Sequence, residues 1–350
     1  MDMGILIPTA ADSWEVAVRA EELGYTHAWF FDTALLNAEM FAAMGAAAVK
    51  TSKIKLCTGV MVPSNRIAPV AASGLATLNA LAPGRIVFGV STGFTGRRTM
   101  GLKPVTLADM CKFIEDVQGL LAGEMIELEI EGAVHKTRFL NPASGLININ
   151  DPIPLAISAL GPKTRGLVAK YGAQWLGASV HNPAEMEEMR ALWTQAGRDL
   201  KDLYMVGGGG GIVLEEGETV DSPRIMAQAG PGAALLFHDA VEHEAFGSLI
   251  AGQFPFPDAL EAYRKVYEKY EPADARYLSN HRGHLMFVRP EETHVTSDMI
   301  NALGIVATRE EHIQRLRGIK AIGINQVNCG AIPGYEYEMM ESFASIMAEV

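Results

Sequence analysis

Short runs that are apolar at almost every position alternate along this chain with longer stretches whose apolar residues recur at helical spacing. The short runs cover residues 4–8, 27–32, 53–61, 85–90, 154–159, 174–179, 204–214 and 323–329, and each predicts a buried strand. A helix follows each of them. Asp12 and Ser13 cap the first, which carries Trp14, Val18 and Leu23 and stops at Gly24. Further helices are predicted over 37–50, 68–81, 107–121, 162–171, 183–197, 310–319 and 335–349. The clearest unit is 53–93: Pro63, Ser64 and Asn65 break a strand, Pro83-Gly84 stops the helix after it, and a second strand runs into Ser91-Thr92-Gly93. Two near-continuous apolar strands joined by a helix form a βαβ unit, hence a parallel pair.

Eight such repeats predict an α/β fold, a (β/α)8 TIM barrel filling residues 1–350 as a single domain. A doubly wound open sheet is the alternative, and the first strand–helix turn lacks the G-x-G-x-x-G it would use. Two segments break the rhythm. Strands over 126–130 and 135–139, split by Glu131-Gly132, predict an added hairpin at 126–139. Residues 215–300, rich in Pro, His and aromatic residues and with helices expected around 233–250 and 257–270, predict an insertion after strand seven that forms a lid on the catalytic face.

Composition narrows the function by exclusion. The chain is 49% hydrophobic and 20% charged, enough for a sizeable core, and its formal charge of −12 argues against a nucleic-acid surface. No stretch approaches the length of a membrane span. The start Met1-Asp2-Met3-Gly4-Ile5 lacks a basic n-region, and Cys57, Cys111 and Cys329 form neither a zinc spacing nor a disulfide framework. These features lead us to expect a cytoplasmic protein with a small-molecule substrate and no nucleic-acid or membrane partner. A homodimer or higher homo-oligomer is expected as well.

Candidate chemistry gathers at the strand ends. Asp32 places a carboxylate at the tip of strand two, as a site residue or a structural one, followed by Thr33. Gly59 and Gly93 end strands three and four, where glycine lets a flat ligand approach the backbone. Ser158-Ala159-Leu160-Gly161-Pro162-Lys163 joins strand five to a helix N-terminus whose free N–H groups favour an anion, with Lys163 and Arg165 adding charge; an ordinary βα turn is the other reading. Arg97, Arg98 and Lys103 lie in the loop 91–104 and either contact an anion or are solvated. Gly207–Gly211 lacks the Lys-Ser/Thr of a phosphate loop and reads as backbone against which something packs closely, protein or ligand. His281 and His284 could share a helical face as acid–base or substrate-contacting residues or lie on the surface; no carboxylate stands at ligand spacing from them, so no metal site is assigned.

The chain resembles the luciferase-like monooxygenase superfamily. The resemblance is carried by Glu21-Glu22-Leu23-Gly24-Tyr25 with Ala28-Trp29-Phe30-Phe31-Asp32, by Leu56-Cys57-Thr58-Gly59-Val60, by Gly89-Val90-Ser91-Thr92-Gly93 and by the 158–163 turn. It implies a TIM barrel that holds the deazaflavin F420 or FMN at its C-terminal mouth, closest to the F420-dependent branch. The implied activity is hydride transfer between F420 and a small organic substrate. An FMN-dependent monooxygenase using oxygen and a flavin-binding protein without turnover are the alternatives. By resemblance, Asp32 lies at the ring edge, Gly59 and Val60 support the ring face, often through a cis peptide, and Ser158, Ala159, Leu160 and Gly161 hold the phosphate or ribityl end. Two positions depart from the family pattern: Thr33 stands where a His is usual, and Phe94 stands where the sugar-phosphate branch has Glu. These departures point away from a sugar phosphate and toward a more apolar substrate.

Overall fold

The computed structural model describes residues 1–178, 180, 182–247 and 254–350. Among these residues eight parallel strands close into a barrel: Asp2–Ile7, His27–Phe30, Lys55–Thr58, Ile86–Val90, Leu155–Ser158, Gln174–Ala178, Met205–Gly208 and Gln326–Gly330. Each pairs with its neighbours in sequence, and the first closes against the last, with Gly4 opposite Asn328 and Ile5 opposite Cys329. The apolar continuity of the strands follows from burial of both faces. Trp29, Cys57, Val87, Ala156, Leu176 and Val206 fill the barrel interior. Phe30, Leu56, Phe88, Ile157 and Trp175 point outward into the layer shared with the helices. Residue 179, the expected end of strand six, lies outside the described residues.

Helix Ser13–Glu22 is tied to strand three by a charged clamp. The Glu21 carboxylate accepts hydrogen bonds from the backbone N–H groups of Ser52, Lys53 and Ile54 at 2.6–3.0 Å. Burial disfavours its charge, but these donors outweigh burial and hold the Glu21 carboxyl below its ordinary value. The clamp therefore stabilises the fold above the unfolded-state pKa and is lost as pH falls through the lower folded-state value. Glu21→Gln is expected to cost about 1–2 kcal/mol at neutral pH, and less as the pH drops below about 4. Urea unfolding at pH 7 and pH 3.5 measures the difference.

Several expected elements differ from those observed. Strand seven was expected to run over 204–214; the barrel strand stops at Gly208, and Ile212–Val213 pairs instead with Val306–Ala307 in a separate two-stranded sheet. Gly207–Gly211 makes this exit possible. A Cβ on Gly210 would sit 2.2 Å from Cys329 Cβ, and one on Gly211 would sit 2.3 Å from His312 Cε1. The close neighbour of the glycine run is thus strand eight and its helix rather than a ligand. In the hairpin, Ile126–Ile130 pairs with Ala133–Thr137 rather than with 135–139, because Glu131 and Gly132 both take positive φ and form a two-residue turn. The expected loop 91–104 contains the helix Phe94–Arg98, entered through Gly93 at φ 82°, where a Cβ would meet Val62 Cγ1 at 2.3 Å.

Between the two short strands, the insertion builds its own core. Helix Pro223–Val241 begins earlier than the expected 233–250 and runs through Pro231; residues 248–250 lie outside the described residues. Ile225, Phe237, Tyr263, Met299 and Ile300 bury against one another beneath it, with helices Pro257–Tyr267 and Ser297–Leu303 packed on its sides.

Candidate active site

The C-terminal ends of strands two to five surround a cavity of about 390 Å³. Its walls are Phe31, Asp32, Thr33, Asn37, Gly59, Val60 and Val62 on one side, Ser91 to Gly96 on the next, and Ser158, Leu160, Gly161 and Thr164 opposite; His284 and Leu285 bring the insertion into it. The size and the mostly apolar lining with a few polar groups suit a small organic ligand.

Asp32 is buried and fully engaged. Both its oxygens accept from Arg66 Nη1 at 2.8 Å, and Oδ2 also accepts the N–H of Val62 at 3.0 Å. Arg66 in turn pairs with Glu39. The carboxylate thus fixes the turn after strand three against the end of strand two, directly beneath the cavity wall.

Packing gives a reason of its own for glycine at position 59. The Gly59–Val60 peptide is cis. A Cβ on Gly59 would come within 2.7 Å of Trp29 Cβ and 2.9 Å of the Trp29 carbonyl carbon. Glycine is therefore demanded by packing inside the barrel, and residues 59 and 60 together line the cavity. Gly161 is the opposite case. It is the N-cap of helix Pro162–Tyr171, it carries no capping side chain, and a Cβ there would meet nothing closer than Thr164 Oγ1 at 4.0 Å. The first N–H groups of this helix have no intrahelical partner and are presented beside the cavity.

Not every expected site residue reaches the cavity. Ala159 is buried behind it, its carbonyl accepting from Trp175 Nε1 at 2.8 Å. Lys163 is exposed and does not line the cavity. Arg165 is consumed by Glu188 at 2.6 Å and by the Leu160 carbonyl at 2.8 Å. Arg97 is held by the Lys103 carbonyl. Its neighbour Arg98 is the buried one: it stacks 4.0 Å over Phe94 and pairs with Asp239 of the insertion at 3.0 Å.

The histidines also depart from expectation. His281 and His284 are buried, and they occupy a turn after helix Tyr277–Asn280 rather than one helical face. Leu285, next in sequence and half-buried, has φ 60°, a conformation uncommon for any residue but glycine. Only His284 of the pair lines the cavity, its Nε2 lying 3.5 Å from Thr95 Oγ1. His281 lies behind it on Glu242 at 2.8 Å. Sequence reasoning missed His238, whose Nδ1 is 3.0 Å from His284 Nδ1 and whose Nε2 is 2.5 Å from Glu292. The signal was present as His238-x-x-x-Glu242 in a helical stretch, one turn apart. It went unread because its partners arrive from more than 40 residues away. Burial, and secondarily the neighbouring rings and Arg98, push His284 well below its ordinary pKa, so the ring facing the cavity is neutral. Burial also opposes charge on Glu292, yet hydrogen bonds from His238 and Arg289 hold its carboxyl at about 2.

A closed (β/α)8 barrel with a cavity at the C-terminal mouth, between the 59–60 turn and an uncapped helix N-terminus, is a ligand-binding arrangement. The chain belongs to the luciferase-like monooxygenase family, whose pattern matches residues 3–326. It is 27% identical to limonene 1,2-monooxygenase of Rhodococcus erythropolis, over 59% of this chain and 51% of that protein. It is 29% identical to 5,10-methylenetetrahydromethanopterin reductase of Methanolobus tindarius, over 53% of this chain and 56% of that one. The chain thus spans about half the length of these curated relatives. The coenzyme F420-dependent tetrahydromethanopterin reductase of Methanopyrus kandleri superposes with a TM-score of 0.68 at 20% identity, covering 98% of this chain and 97% of that one, which establishes the common fold. Among the described residues no helix is long and apolar enough to cross a membrane.

Proposed function

We propose that this protein is an F420-dependent oxidoreductase that transfers hydride to or from a small, largely apolar organic molecule. The observation that carries the cofactor assignment is the pairing, across one cavity, of the Gly59–Val60 turn with the uncapped N-terminus at Gly161. A ring system fits the first and a phosphate the second. A bound deazaflavin supplies the hydride chemistry. The chain's own residues bind and orient. Ser158, Gly161 and Thr164 hold the phosphate end, Val60 backs the ring, and Asp32 with Arg66 keeps that wall rigid. Phe94 and Leu285 shape an apolar substrate side, and the insertion covers it.

His284 is the group through which the insertion offers the substrate a polar contact. Its neutral ring sits at the cavity wall beside Thr95, where it positions a substrate oxygen. Thr33 lines the same cavity but carries no ring nitrogen. His284→Gln is expected to slow single turnover by on the order of 10²-fold. A change below about threefold at saturating substrate would remove His284 from the reaction and make Thr33 with a bound water the next position to test.

Fluorescence titration with F420 and with FMN tests the cofactor assignment, and an oxygen electrode with each reduced cofactor tests the reaction type. Micromolar F420 binding without oxygen uptake is expected. Tight FMN binding with rapid oxygen uptake would favour a monooxygenase, the activity named for the Rhodococcus relative. Failure of both cofactors to bind below the millimolar range overturns the reading.

A further inference from the structure

We propose that the insertion carries a metal site, in which His238, His281 and His284 bind one late first-row divalent cation of the zinc class. The three rings are buried and offer ligand atoms that all lie within 4.8 Å of one another. Their tautomers are fixed from outside. His238 Nε2 lies 2.5 Å from Glu292 and 3.2 Å from Arg289 Nη2; the shorter carboxylate contact takes its proton, and Glu242 accepts from His281 Nε2 at 2.8 Å. Each of these rings therefore carries its proton on Nε2 and turns the Nδ1 lone pair inward. Both lone pairs face one atom, His284 Nδ1, at 3.0 and 3.5 Å. A single N–H on His284 can satisfy only one of them well. A cation satisfies all three rings at once, because His284 then holds its proton on Nε2 and contributes a third lone pair.

The spacing and the electrostatics agree. Two nitrogens bound tetrahedrally at the usual zinc distance stand about 3.3 Å apart, and the two Nδ1–Nδ1 distances bracket that value. Carboxylates on the far nitrogens of histidine ligands are the usual outer support of such sites. The fixed charges leave room for a cation. Asp239 pairs with Arg98 and Glu292 with Arg289, whereas the ion-pair partner of the buried Glu242 among the described residues is His281. Neutral imidazoles and borderline metals suit each other, while magnesium and calcium prefer oxygen donors.

The site would join helix Pro223–Val241, which carries His238, to the turn that carries His281, His284 and the positive-φ Leu285. The metal would lie behind His284, and the Nε2 side of that ring would still face Thr95 and the cavity. Its role is then to hold the cavity-facing ring in place. The assignment rests on the insertion's own residues and not on the identity of the organic cofactor.

Untagged full-length protein tests it. Elemental analysis should find about one zinc-class ion per chain. After chelator treatment, cobalt(II) titration should give the visible bands of a four-coordinate site, and zinc at micromolar concentration should raise the melting temperature. His238→Ala and His281→Ala should weaken cobalt binding at least about 100-fold, and Glu242→Gln and Glu292→Gln by about 10- to 100-fold. His135→Ala, on the exposed hairpin, should bind as the parent does. Folded parent protein that takes up no stoichiometric metal at micromolar concentration overturns the proposal. So does parent-like binding by folded His281→Ala. Should the alanine variants fail to fold, the parent's stoichiometry, its cobalt spectrum and the two glutamine variants still decide it.

Discussion

Replacing Gly161 with Asp is expected to weaken cofactor binding by about 100-fold or more without destabilising the protein. Gly161 has extended backbone, φ −101° and ψ 162°, which any residue adopts, and the space beyond its Cα is open. Asp there becomes an N-cap. It takes a hydrogen bond from the first turn and interacts favourably with the helix dipole, together worth up to about 1 kcal/mol. The same carboxylate occupies the anion position. A bound phosphate would lose its hydrogen bonds to that turn and meet a like charge a few ångströms away, a loss of about 3 kcal/mol or more, which is about two orders of magnitude in Kd. Thermal melts and fluorescence titration of parent and variant read the two effects separately. Reduced stability would point to misfolding. Unchanged affinity at retained stability would place the phosphate end elsewhere.

Asp32→Asn should cost about 3 kcal/mol of stability, the usual scale for breaking a buried ion pair from one side. The amide cannot accept at both positions that Arg66 now uses, and one of its N–H groups would face the guanidinium or the Val62 N–H. Arg66 would be left with Glu39 as its remaining carboxylate partner. The denaturant midpoint should fall with the m-value unchanged. Because Asp32 acts through the wall it holds, cofactor affinity should fall while single turnover at saturating cofactor changes little. A stable variant whose chemical step falls about 100-fold would instead make Asp32 an acid–base residue.

Much of this protein was legible in the linear pattern. Strands buried on both faces must be apolar at every position, and helices on a barrel must carry a stripe, so the eight repeats and the helix Ala68–Leu81 could be read directly. The strand-tip residues Asp32, Gly59 and Gly161 were legible for the same reason: a parallel barrel puts the residue after each strand at one mouth.

What each residue does there was decided only by tertiary contacts. The sequence could not show that Gly59 is glycine because of Trp29, since that packing crosses from one strand to the next inside the barrel. Nor could it separate Arg97, on a nearby carbonyl, from Arg98, buried against Asp239 some 140 residues on. The histidine cluster is the extreme case. His238 meets His284 across 46 residues and Glu292 across 54. Spacing along a chain reports neighbours within a turn or a strand, whereas a site closed by long-range packing has no period to betray it.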